Sequence, residues 1–196
     1  MTHFPKLSGS LVFLSPVAPE DGDLWARWLN DLEVALPLGG EACTVLPLEK
    51  MRADANANAH AHDPVFTIVE QNGGRPIGRC LLFGVDPVDR RAMCGIFIGE
   101  KDAWGKGYGT EALALLLDYA FNLLNLNSVE LGVFAFNRRA IASYRRLGFK
   151  EIGVRRQFRL IAGKAYDMIL MDLLAVEFQS PFVGPMMERL GYRAEG

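Results

Sequence analysis

The segment Trp104-Gly105-Lys106-Gly107-Tyr108-Gly109-Thr110 decides the fold, because of what stands on either side of it. An apolar stretch ending at Ile98 precedes it, and a run with apolar residues at Leu113, Leu116, Leu117, Ala120, Phe121 and Leu124 follows. The first stretch has strand chemistry and the second the spacing of a buried helix, so the glycines lie at a strand-to-helix turn. Glycines at alternate positions let the backbone turn tightly and bring several N–H groups close to a ligand with no Cβ in the way. Unpaired amides at a helix N-terminus form an anion site, and phosphate is its natural guest.

Two phosphate signatures fail on spacing. A nucleoside-triphosphate loop needs a Ser or Thr after its Gly-Lys, and here Gly105-Lys106 is followed by Gly107. The dinucleotide fingerprint places its third glycine where this chain has Thr110, one position after Gly109. It also wants an acid ending the next strand, and Glu130 begins that strand instead. A glycine-rich helix start without a ligand is the remaining alternative on this segment alone. Within it, Trp104 suits a packing role or a ligand wall, and Tyr108 suits sheet packing or a cleft lining. Lys106 suits solvent or added charge at a phosphate.

Further along, Asn137 stands where a strand gives way to a helix, and Gly148 punctuates that helix's end. An Asn cap with an exposed arginine face accounts for this segment without a ligand. Asn137 and Tyr144 are two turns apart on one face, so both can touch a ligand lying along it.

Toward the N-terminus, 11–14 reads as a strand. Acidic residues at 20, 21 and 23 precede a helix carrying Leu24, Trp25, Trp28 and Leu29, which ends near Asn30-Asp31. Residues 36–40 read as loop and 46–62 as a second, weaker helix. Strands follow at 65–70, 77–85 and 92–98, joined by Asn72-Gly73-Gly74 and Asp86-Pro87-Val88-Asp89. After the helix at 110–124 come a strand at 129–136, a helix at 138–147, and a hairpin of 149–160 with 164–173. The expected architecture is an α+β domain with a mixed, mainly antiparallel sheet of about seven strands and about four helices. One domain spans 1–196, with a core of about 11–173 and an extension at 174–196; a homodimer contact is expected through the C-terminal hairpin or this apolar-rich extension.

The chain has 196 residues, 50% of them hydrophobic, and a formal charge of −2, so nothing in its overall balance attracts nucleic acid or an anionic membrane. No apolar run approaches the roughly 18 residues that span a bilayer, and no signal peptide is visible, so a cytoplasmic location is expected. Cys43, Cys80 and Cys94 are odd in number and far apart, which argues against disulfides and zinc. His60 and His62 would point to different faces of a helix, and no metal is expected.

Segments 104–111 and 137–149, in this order and at this separation, resemble the acyl-CoA motif and the following strand-helix motif of the GNAT N-acetyltransferase superfamily. Residues 28–34 and 104–112 are similar to the branch containing the ribosomal-protein N-terminal acetyltransferases. The likeness runs from about residue 11 to 173. The superfamily's turn usually begins with Gln or Arg, and this chain has Trp104, which removes a side-chain donor and leaves the backbone site intact.

The resemblance implies a cleft where the family's fourth and fifth strands splay apart, with the pantetheine arm pairing along Gly95-Ile96-Phe97-Ile98-Gly99. It places the pyrophosphate of acetyl-CoA on the amides of Gly105, Lys106, Gly107, Tyr108, Gly109 and Thr110, behind Trp104. Asn137 contacts the cofactor arm, beside Phe97 and Ile98. An amine attacks the thioester directly in a ternary complex, and Tyr144 protonates the departing thiolate. Glu100 is the first candidate for the general base, with Glu41, Asp102 and Asp167 as alternatives.

A non-catalytic acyl-CoA sensor would need neither Tyr144 nor a base. A cysteine acyltransferase would need a Cys beside a His and an acid. The acceptor stays open among a peptide N-terminus, a polyamine, an amino sugar and an antibiotic amine. Arginines at 155, 156 and 159 suit an acidic substrate or a solvated strand face.

Overall fold

The computed structural model describes residues 2–60 and 63–192, so the expectation for His62 lies outside the described residues. Among the described residues eight strands form one sheet: β1 (Leu7–Ser8), β2 (Val12–Pro16), β3 (Val65–Glu70), β4 (Pro76–Asp86), β5 (Arg91–Ile98), β6 (Ser128–Phe134), β7 (Lys150–Ile161) and β8 (Lys164–Leu174). Their order is β1-β2-β3-β4-β5-β6-β8-β7. Among the described residues only the β5–β6 neighbours run parallel. The strand beyond the expected number is β1, whose two residues pair with Leu14 and Phe13 and are too few to carry a periodicity. The β7–β8 hairpin turns through Ala162 and Gly163, both at positive φ, as its turn chemistry predicts.

The α-helices are α1 (Asp21–Leu29), α2 (Leu32–Ala35), α3 (Leu48–Ala59), α4 (Tyr108–Asp118), α5 (Arg138–Arg146) and α6 (Val183–Arg189). Two of these exceed the expectation. The single turn α2 starts on Asp31, whose carboxylate accepts from the Glu33 amide at 3.0 Å. The other, α6, lies in the C-terminal extension. The helix expected over 110–124 ends as α-helix at Asp118 and closes with one π turn, Tyr119–Leu123.

The sheet separates two cores. On one face α4 is buried almost all round, with Leu113, Leu115, Leu116 and Leu117 inaccessible, each contributing about 2 kcal/mol of burial. On the other face Trp25 and Trp28 of α1 pack with Met51 and Ala55 of α3 and Phe97 of β5. The α1 and α3 backbones meet at Gly22, where a Cβ would sit 2.5 Å from the Arg52 Cα. The C-terminal extension is tied to the first core by Asp118, which is buried. It accepts from Ser180 Oγ at 2.6 Å and from the Phe182 and Val183 amides at 2.9 and 3.0 Å. Among the described residues no helix is long and apolar enough to cross a membrane.

Candidate active site

β5 and β6 pair only where Arg91, Ala92 and Met93 meet Ser128, Val129 and Glu130. Beyond that point the two strands diverge, and a cavity of about 790 Å³ fills the gap and continues onto the α1–α3 face of the sheet. Its β5 wall includes Ile96, Phe97 and Ile98, and its β6 wall Leu131, Gly132 and Val133. Hydrogen-bonding groups along the inner edge of β5 therefore lack a neighbouring strand, a ready partner for an amide-bearing chain.

The glycine-rich turn closes one end. Gly105 and Gly107 take left-handed φ values of 76° and 90°, and Gly107 is the N-cap of α4. A Cβ on Gly105 would meet nothing within 4 Å, so the turn is open toward its surroundings. Among the described residues, the amides of 105–110 find no acceptor in turn, loop or side-chain hydrogen bonds. With the α4 dipole behind them they fit a pyrophosphate. Trp104 ties the turn to β5, its indole N–H donating to Ile98 O at 2.8 Å. It is both wall and strap. The Arg139 guanidinium lies 4.3 Å from the centre of the Trp104 ring, so α5 restores a cation beside a turn that begins without one.

On α5, Asn137 caps the helix by accepting from the Ala140 amide at 3.2 Å, which leaves its Nδ2 free to donate. Ser143 and Thr110 share a hydroxyl hydrogen bond of 2.7 Å that joins α5 to α4. Tyr144 lines the cavity with its ring 5.9 Å from that of Phe149. Burial, and then the neighbouring Cys94, raise the Tyr144 phenol well above its ordinary range.

Of the residues expected at the site, Phe97, Ile98, Trp104, Gly105, Gly107 and Tyr108 line this cavity. So do Gly109, Thr110, Asn137 and Tyr144. Lys106 is exposed and outside its wall. Glu100 is also outside the wall, because its carboxylate is taken up by Arg27 and by the Trp28 indole N–H, the latter at 2.9 Å. Asp102 pairs with Arg75 at 2.9 Å, and Asp167 accepts from the Gln157 amide at 2.8 Å; neither lines the cavity. Glu41 does, and its Oε2 is buried without a hydrogen-bond partner.

The far end is built from side chains. Arg79 of β4 lies under the Trp25 and Phe97 rings, 4.4 and 5.4 Å from their centres, with its Nε buried and unpartnered. Burial lowers its pKa from the arginine range, opposed first by attraction to Glu41. The β7 strand bulges between Arg155 and Arg159, with Gln157 at a φ of 51°, and Arg155 and Phe158 line the mouth. Arg159 donates to Gly39 O, clamping the loop after α2 to the hairpin. Sequence reasoning missed Arg79, although a lone arginine in an otherwise apolar strand was a signal.

Cys80 and Cys94 are buried, and burial pushes the Cys94 thiol up to about 12 and Cys80 higher still. Neither has the depressed pKa of a nucleophilic thiol. Among the described residues no cluster of His, Cys, Asp and Glu is placed to hold a metal.

The family description "Acetyltransferase (GNAT) domain" matches residues 12–150. An uncharacterized N-acetyltransferase of Bacillus licheniformis is 28% identical over 163 residues, 81% of this chain and 90% of its own. YdaF of Bacillus subtilis, which carries the name of a ribosomal N-acetyltransferase, is 34% identical over 106 residues, 54% of this chain and 57% of its own. The crystal structure of spermidine N-acetyltransferase from Vibrio cholerae with CoA and spermine superposes with a TM-score of 0.78 at 23% identity. It covers 86% of this chain and 98% of that one. At that identity the likeness concerns the fold.

Proposed function

The chain belongs to the GNAT acetyltransferase family, and on that premise we propose that acetyl-CoA and a small-molecule amine meet in the cavity between β5 and β6, with Tyr144 as proton donor and Glu41 as proton acceptor. The protein is an N-acetyltransferase that uses acetyl-CoA. The observation that carries the site is the open edge of β5 leading to unpaired amides at the start of α4.

Acetyl-CoA supplies an activated thioester carbonyl. The amides of 105–110 hold its pyrophosphate, with Arg139 adding charge, and Asn137 Nδ2 donates to the arm lying along β5. Glu41 takes a proton from the bound ammonium, directly or through one water, which frees the nitrogen lone pair for attack. As the new C–N bond forms and the C–S bond breaks, Tyr144 Oη gives its proton to the sulfur, and the resulting phenolate recovers a proton from the amide nitrogen, which must lose one more to become neutral. The raised phenol pKa keeps that donor loaded throughout the ordinary pH range. Glu100 instead holds α1 to the end of β5 through Arg27 and Trp28.

Thiol release under saturating acetyl-CoA tests these roles. Tyr144→Phe should lower kcat about 100-fold or more with unchanged acetyl-CoA affinity. Glu41→Gln should lower kcat and shift its pH profile, while Glu100→Gln should leave that profile in place. Full turnover in Tyr144→Phe removes the phenol from the mechanism.

A further inference from the structure

Charge at the far end of the cavity is unbalanced in one particular way. The wall there carries Arg79 and Arg155 against Glu41 as its carboxylate. Arg79 Nε and Glu41 Oε2 are each buried without a hydrogen-bond partner, yet the two side chains form no ion pair. A guanidinium N–H buried without an acceptor gives up its hydration for no hydrogen bond, and so does a buried carboxylate oxygen, even where the two charges attract at longer range. Stacking on Trp25 and Phe97 fixes Arg79 in position but satisfies none of its N–H groups. Two opposite, unsatisfied charges facing one cavity are complementary to a ligand that carries both signs a few bonds apart.

Resting on the reading of this chain as an acetyl-CoA-dependent N-acetyltransferase, we propose that its acceptor is zwitterionic: an amino acid or short peptide whose reactive amine lies close to a free carboxylate. The carboxylate pairs with Arg79, in a planar fork that a lysine would not offer, and Arg155 draws it in at the mouth. The ammonium faces Glu41, which takes its proton. A polyamine, the ligand of the Vibrio cholerae structure, is cationic throughout and would meet Arg79 and Arg155 unfavourably. Phe158 beside Arg155 gives the mouth an apolar wall for the acceptor's side chain.

The test measures kcat/KM of the full chain for α-amino acids and dipeptides, for their carboxamides, and for spermidine. In parallel, calorimetry follows acetyl-CoA binding. Free acids should exceed the matching carboxamides by about 10- to 100-fold, and spermidine should be the poorest substrate. Arg79→Gln should abolish that ratio by raising KM for the acids far more than for the carboxamides. Arg79→Lys, which keeps the charge and the stacking, should restore part of it, a result that damage to the fold would not produce. The proposal is overturned by carboxamides or spermidine turned over as well as free acids. It is equally overturned by a ratio that survives Arg79→Gln, or by a panel with no active free acid while acetyl-CoA still binds. Failure of acetyl-CoA to bind would instead overturn the reading of the cofactor end.

Discussion

The two ends of the cavity are built in opposite ways. At the end proposed for the cofactor the available groups are backbone amides at the start of α4 and the unpaired edge of β5, positioned by left-handed glycines and one buried helix. At the end proposed for the acceptor they are side chains from three separated segments: Glu41 after α2, Arg79 in β4, and Arg155 and Phe158 on the bulge of β7. Amides in a tight turn recognise a pyrophosphate whatever the neighbouring side chains are, so that end suits a ligand shared by a whole family. Side chains recruited across the fold are replaceable one at a time, so the other end suits the part of the reaction that differs between relatives.

This contrast can be broken by substitutions that damage one end alone. The largest effect is expected at Gly22, where an added Cβ meets the Arg52 Cα at 2.5 Å. Gly22→Ala should separate α1 from α3 and cost about 2–3 kcal/mol in urea unfolding. It should raise KM for the acceptor and leave acetyl-CoA affinity intact. Loss of both affinities together would mean that the two ends are not independent. Next comes Gly107→Ala, at a φ of 90°. Holding an L-residue in that region costs about 1–2 kcal/mol, and the Cβ would touch only Leu11 Cδ1, at 3.4 Å. Here acetyl-CoA affinity should fall while KM for the acceptor is unchanged, the reverse of the first variant.

The smallest effect concerns thiols. Cys43 is exposed, whereas Cys80 and Cys94 are buried with raised pKa values. Mild alkylation of the native protein should label Cys43 alone, as mass spectrometry would show. The buried thiols stay protonated after their unfolded counterparts ionise. Their contribution to stability is therefore complete below about pH 8.5 and declines as pH rises from there toward the native Cys94 value of about 12. An unfolding midpoint that is flat from pH 8 to beyond 10 would contradict this.

The same contrast explains what could be read from the chain. The turn at 104–110, the α5 cap at Asn137 and Tyr144 two turns later are local patterns, and each falls in the cavity wall. Glu100 was singled out because it follows β5 directly, and its neighbourhood in sequence gave no warning that Arg27 and Trp28 hold it. Lys106 belongs to the turn by position, yet its side chain is exposed, because a site made of amides places no demand on it. The strand β1 and helix α2 escaped notice because they hold two and four residues, shorter than any period that could reveal them. The C-terminal extension read as an appendage because its partner, Asp118, sits 62 residues before Ser180.

By itself the sequence determined the glycine-rich strand-turn-helix and the order of the elements around it, since short-range spacing and glycine stereochemistry suffice for both. Tertiary structure alone decided which carboxylate lines the cavity and that the Arg79 Nε is buried in the same wall without a hydrogen-bond partner. Those are facts about charges brought together from distant segments, and their energies depend on burial and distance, which no local pattern of residues encodes.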